Sequence, residues 1–311
     1  MRIQRLGDLG AAPAVLRSVA AAADRAGLAP PAALIGEWFG SRAVIAPSVS
    51  VSPVAVEAAF PFSPGVARGD AVGGGWFGYL SYPDPGADGL GPRIPESAGG
   101  WSDCVLRQDL DGHWWYESLT GAALPAWLDE PAPSPPRPYT LDWVAPDPDN
   151  HRHGVLACLE AIAAGEVYQA CVCTQFTGRI DGAPIDFFAD TAARTAPSRA
   201  AYLAGEWGAV ASLSPELFLR RSGTAVASSP IKGTVVGTAD PATLLGSAKD
   251  VAENIMIVDL VRNDLGRVAL TGTVTVPELL AVRPAPGVWH LVSTVTAQVP
   301  AELPTAALLD A

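Results

Sequence analysis

The chain has 311 residues, 49% of them hydrophobic, with a formal net charge of −12; it can bury a large core as one domain or two, and its acidity excludes a nucleic-acid partner gripped through phosphates, which needs clustered Lys and Arg. Its four cysteines, Cys104, Cys158, Cys171 and Cys173, are too few and too irregularly spaced for a disulfide framework or a zinc motif, so packing as small hydrophobes is expected of them. The Gly-punctuated opening MRIQRLGDLG lacks the apolar centre of a secretory signal, and no stretch reaches the ~18 apolar residues of a membrane span, so a cytoplasmic protein that engages no membrane is expected.

In chain order, the Ala-rich run 11–28 predicts a helix ending in glycine, and 41–60 predicts extended segments broken by proline. GGGWFG at 73–78 satisfies G-x-G-x-x-G but runs into YLSYPDPG, a strand and then a turn. A dinucleotide loop should instead open a helix, so these glycines are read as close packing among aromatics. The proline-rich stretch 125–148 reads as a linker or crossing loop. It sets the expected division into an N-terminal subdomain, 1–140, and a second subdomain, 141–311. Beyond it, 151–166 predicts a helix, 167–180 (VYQACVCTQFTGRI) a buried strand with Cys171 and Cys173 on one face, and 216–234 a hairpin followed by a turn bearing Lys232.

Four features of this second half carry chemistry. Lys232 stands in the small apolar run SSPIKGTVVG; buried there, a lysine loses hydration and tends to give up its proton, whereas on an ordinary loop it stays a solvated charge. Residues 247–265 open on a cap-like Ser247 with an acid three positions on and are apolar all round at their centre, which predicts a buried helix. Asp250 and Glu253, at i and i+3 on its first turns, could share a divalent cation or simply complement the helix dipole. The runs 272–282 and 288–299 alternate like strands, the second placing His290 on one face with Val292, Thr294, Thr296 and Gln298, opposite Trp289, Leu291 and Val295; that histidine is a proton carrier or a satisfied core residue. Glu216, just before an apolar strand, reads as an edge charge or a general acid.

Taken in order, GGGWFGYLSY, VYQACVCTQF, SLSPELFL, PIKGT, AENIMIVDLVRNDLGRV and TVTVPELLAVRPAPGVWHLVSTVTAQV resemble the chorismate-utilising enzymes, and within them the branch that aminates chorismate at C4. The likeness is dense from 165 to 299. It implies an α+β fold of two antiparallel sheets sandwiched with helices, the active site between them. Where isochorismate-forming members carry a water-activating lysine, Gln169 stands here, as in the ammonia-using members. Where anthranilate synthases carry alanine, Lys232 stands here, and the resemblance implies that it attacks ring C2 as a neutral amine before ammonia enters at C4. Glu216 matches the general acid, His290 a histidine beside the ring, and Gly233 and Thr234 a substrate-contacting turn. Glu253 matches a direct Mg²⁺ ligand and Asp250 a carboxylate acting through water.

The implied reaction is conversion of chorismate to 4-amino-4-deoxychorismate on the route to p-aminobenzoate and folate, with ammonia from a glutamine amidotransferase partner. The rivals are anthranilate synthesis, which Lys232 disfavours, and a partner-binding role without turnover. Family members continue past the point where AELPTAALLDA stands, into a Gly-rich loop, a Tyr and an Arg that hold substrate, and a second glutamate ligand. The resemblance therefore implies a fold whose C-terminal part is missing.

Overall fold

A computed structural model describes residues 1–60, 71–82, 94–129 and 133–311. They divide into two compact units, Met1–Pro135 with Phe188–Ala311, and Pro136–Phe187. Along the larger unit run strand β1 (Arg2–Gly7), helix α1 (Ala12–Arg25) and strands β2 (Ala32–Trp38), β3 (Ser41–Ala46), β4 (Ser52–Pro53), β5 (Gly75–Leu80), β6 (Ser97–Ser102), β7 (Cys104–Gln108) and β8 (Trp114–Ser118). The smaller unit carries β9 (Thr140–Val144), α2 (Pro148–Ala163) and β10 (Thr177–Asp181), and α3 (Pro184–Thr195) follows. The chain continues through β11 (Arg199–Gly205), β12 (Gly208–Ser212), β13 (Leu217–Ser222), β14 (Ala225–Ser229), β15 (Ile231–Val236), α4 (Ala242–Gly246), α5 (Ala248–Gly266), β16 (Thr275–Ala285), β17 (Val288–Gln298) and α6 (Thr305–Leu309).

Among the described residues every strand pairing is antiparallel, in keeping with the α+β class. One sheet of seven strands runs β1-β8-β7-β3-β2-β11-β12, and a second runs β13-β14-β17-β15 with β16 also on β17. The first has a core of Ala32, Val44, Val49, Phe77, Val105 and Leu203. The second packs Val226, Val295 and Ala297 against Val258 and Leu265 of α5. Helix α1 forms where alanine makes helix cheap in side-chain entropy, and it buries Val15, Leu16, Val19 and Ala23. It ends in a Schellman cap: Gly27 has φ +66° and the Leu28 N–H donates to the Ala23 carbonyl at 2.9 Å.

The glycine run 73–78 leads directly into β5, not into a helix, and a Cβ on Gly78 or Gly99 would collide with the Trp76 ring. Tight aromatic packing is thus the use of Gly78, whereas a Cβ on Gly73 would meet Leu119 and one on Gly74 the Ser102 carbonyl. The turn expected from Pro83 onward lies outside the described residues, as do 130–132 of the proline-rich stretch.

Four expectations need correction. The linker reading of 125–148 gives way at Thr140–Val144, which pairs with Thr177–Asp181 as a two-stranded ribbon. The strand expected over 167–180 exists only at 177–181, because only those residues find a ladder partner; 169–176 carry no regular structure and are mostly exposed. Helix α5 is half-buried, not buried. One side lies on β15 and β17, while Ile255 and Met256 border an open groove of about 830 Å³ with Val276 and Leu279. Lys232 lies within a strand rather than on a turn.

Candidate active site

Seven of the eight residues singled out lie in the larger unit, on or next to β13, β15, β17 and α5. Strand β17 organises them. On one edge it pairs with β14 through residues 295–298 and with β15 through 288–292, and Pro230 sits at the junction, where its carbonyl accepts the Ser293 N–H at 3.2 Å. Proline has no N–H to give the ladder, which explains the break there.

The register shows why Lys232 and Gly233 adjoin. Ile231 pairs with Val292 and Thr234 with His290, so two residues of β15 face the single Leu291. That is a β-bulge, a device that re-aims a side chain, and Gly233 adopts φ +88° within it. A Cβ on Gly233 would stand 2.9 Å from the Asp250 Cβ, so glycine lets the strand lie directly against the first turn of α5. Lys232 is half-buried and its Nζ donates to the Ile231 carbonyl at 3.0 Å. Among the described residues no carboxylate lies within ion-pair distance of it.

Around the bulge, the Glu216 Oε1 accepts the Ile231 N–H at 2.9 Å, which ties the start of β13 to the start of β15. Thr234 Oγ1 and His290 Nδ1 are hydrogen-bonded at 2.9 Å. The alternation of β17 comes out as expected: Leu291, Ser293, Val295 and Ala297 are buried, while His290, Val292, Thr294 and Thr296 occupy the more open face. Burial pushes the His290 imidazole below its ordinary pKa, and the Glu216 charge pushes it partly back. Glu216→Gln therefore lowers the His290 pKa further, a shift readable by NMR titration of the ring protons; an unchanged or raised pKa would contradict this coupling.

On α5, the Ser247 hydroxyl accepts the Asp250 N–H at 3.2 Å, the expected N-cap. Glu253, one turn on, pairs with Lys249 at 3.2 Å. Asp250 and Glu253 offer two hard oxygen donors on one helix edge, with the Gly233 backbone packed directly against Asp250 and Lys249 paired with Glu253. This donor set fits a magnesium ion that keeps water in its other positions. Asp109, Asp111 and His113 also cluster within ligand distance of one another, but the Asp109 carboxylate is already committed to the Trp115 indole and to the Asp111 and His113 N–H groups, which makes it the lock of a hairpin turn.

Sequence reasoning missed Asn254. It is fully buried, its Nδ2 donates to the Leu291 carbonyl at 3.0 Å, and its Oδ1 accepts the Ser293 hydroxyl at 2.5 Å. The Ser293 oxygen in turn accepts the Leu280 N–H at 2.9 Å, where Leu280 has φ +58°. One amide thus joins the helix bearing Asp250 and Glu253 to the strand bearing His290. The available signal was a lone asparagine next to the apolar stretch IMIV. Gln169, the eighth residue, belongs to the smaller unit and is exposed within its irregular segment.

Residues 97–311 match the chorismate binding enzyme family, and the chain belongs to it. It is 40% identical over 197 residues to the aminodeoxychorismate synthase component 1 of Escherichia coli strain K12, covering 60% of this chain and 43% of that protein. It is 35% identical over 266 residues to an aminodeoxychorismate synthase of Streptomyces pristinaespiralis, covering 74% of this chain and 37% of that one. Anthranilate synthase component I from Streptococcus pneumoniae TIGR4 shares the fold, with a TM-score of 0.61 at 21% identity over 76% of this chain and 60% of that chain. The chain spans less than half the length of these curated relatives.

Proposed function

We propose that the protein carrying this chain aminates chorismate at C4, giving 4-amino-4-deoxychorismate. The observation that supports this reading is the bulge of β15, in which Lys232 stands between Ile231, whose N–H is bonded to Glu216, and Thr234, which is bonded to His290. The names of the relatives agree with it. In the proposed course the neutral Lys232 amine attacks ring C2 while Glu216 gives its proton to the departing C4 hydroxyl, which leaves as water. Ammonia then attacks C4, the lysine is expelled from C2, and substitution at C4 is retained. Glutamine at position 169, where a lysine would activate water, favours ammonia as the nucleophile. His290, held by Thr234 through Nδ1, orients the ring and moves protons from its other nitrogen. The backbone at Gly233 and the hydroxyl of Thr234 contact substrate.

Asp250 and Glu253 would hold magnesium, whose charge offsets that of the substrate carboxylate in an acidic protein. A glutamine amidotransferase is the proposed ammonia source, consistent with relatives named as component 1 of a synthase. Cytoplasmic location and a role in p-aminobenzoate and folate formation belong to the same proposal. Among the described residues no helix is long and apolar enough to cross a membrane.

Incubation with chorismate, Mg²⁺ and ammonium tests it. The expected result is p-aminobenzoate only after a separate lyase is added; fluorescent anthranilate formed directly would overturn the assignment. Glu216→Gln is expected to lower kcat by about 10²–10⁴-fold, the usual contribution of a general acid, with KM less affected.

A further inference from the structure

Cys171 and Cys173 do not pack as small hydrophobes. Both are exposed, and their Sγ atoms lie 3.7 Å apart. Val172 between them lies against α2, where a Cβ added to Gly154 would meet its Cγ1 at 3.1 Å. Residues 169–176 form no regular structure, so no strand ladder holds these sulfurs apart, and closure to the ~2.05 Å of a disulfide asks only for a local adjustment.

We propose that Cys171 and Cys173 form a thiol modification site that closes to an intramolecular disulfide in the presence of a small disulfide oxidant such as oxidised glutathione, and reopens with excess thiol. The hydrogen bond between the pair pushes the Cys173 thiol up from its ordinary pKa, and in the proposed order Cys171 attacks first. The Cys171 thiolate attacks one sulfur of the oxidant, a mixed disulfide forms and one thiolate leaves. Cys173, after losing its proton, attacks the Cys171 sulfur and expels the second thiol. Two thiols of the protein are oxidised, one small disulfide is reduced to two thiols, and the two protons released by the protein are taken up by them. The site lies two residues past Gln169 but does not depend on the amination proposal.

The test is oxidation of the protein with oxidised glutathione, an acid quench, a thiol titration after denaturation, and peptide mapping by mass spectrometry. The expected result is a fall in free thiols from the chain's four to two, a mass lower by two hydrogens, and a cross-link confined to the peptide bearing Cys171 and Cys173. In Cys171→Ser the cross-link disappears and Cys173 retains one glutathione. A cross-link involving Cys104 or Cys158, disulfide-joined dimers, two glutathiones on the pair without a cross-link, or two unreactive thiols would each overturn the proposal.

Discussion

Lys232→Ala is expected to lower amination of chorismate, with ammonium as nitrogen source, on the order of 10⁴-fold or more, the scale seen when a covalent nucleophile is deleted. The fold should be little affected. The side chain is half-buried, its hydrogen bond is to the neighbouring Ile231 carbonyl, and no ion pair is lost with it; changes of this kind usually stay within about 0.5 kcal/mol. Lys232→Arg should be as inactive as the alanine variant, because a guanidinium does not give up its proton and cannot attack carbon. That comparison separates nucleophile from positive charge. If either variant kept activity within tenfold of the parent at an unchanged melting temperature, Lys232 would not be the nucleophile.

The second large effect concerns stability and lies in the seven-stranded sheet. Glu117 on β8 is fully buried. Its Oε1 sits 2.6 Å from the Arg107 Nε on β7, and its Oε2 accepts the N–H groups of Val72 and Gly73 at 2.6 and 2.9 Å. One carboxylate thus neutralises a buried guanidinium and anchors the glycine run that feeds β5. Glu117→Ala leaves Arg107 charged and unpaired in the interior and strips two backbone donors of their acceptor. Loss of one member of a buried pair costs about 3–5 kcal/mol, which corresponds to a fall in melting temperature on the order of 10 °C. The double variant Arg107→Met/Glu117→Leu should recover most of that loss, since no buried charge is then left alone. Thermal unfolding that moved by less than about 1 kcal/mol in Glu117→Ala would show that the pair is solvated in solution.

Much of this was legible in the sequence. The helix at Ala12–Arg25, the cap at Ser247 and the long strands at Thr275–Ala285 and Val288–Gln298 follow from period and capping chemistry, and the His290 face of β17 follows from simple alternation. Lys232 stood out because an amine in a small apolar run needs a reason. What the pattern left open is the tertiary context. The run at 167–176 has strand composition, but a strand exists only where a partner supplies a ladder, and among the described residues β9 supplies one to 177–181 alone. Helix α5 is apolar on a side that faces an open groove, so its composition overstates its burial. Glu117 and Asn254 carry no periodic signature of burial. Each is buried because specific groups across the fold, Arg107 in one case and Ser293 in the other, complete its hydrogen bonds. The bulge at Gly233 depends on a register with β17 that no local pattern specifies.

The chain has two lysines, Lys232 and Lys249, and Lys249 is paired with Glu253. Peptide mapping after incubation with chorismate and Mg²⁺ in the absence of ammonia can therefore locate a covalent adduct without ambiguity. The account predicts chorismate less one water on the peptide bearing Lys232, and none on Lys249 or in Lys232→Ala. An adduct on Lys249, or one that persists in Lys232→Ala, would contradict it.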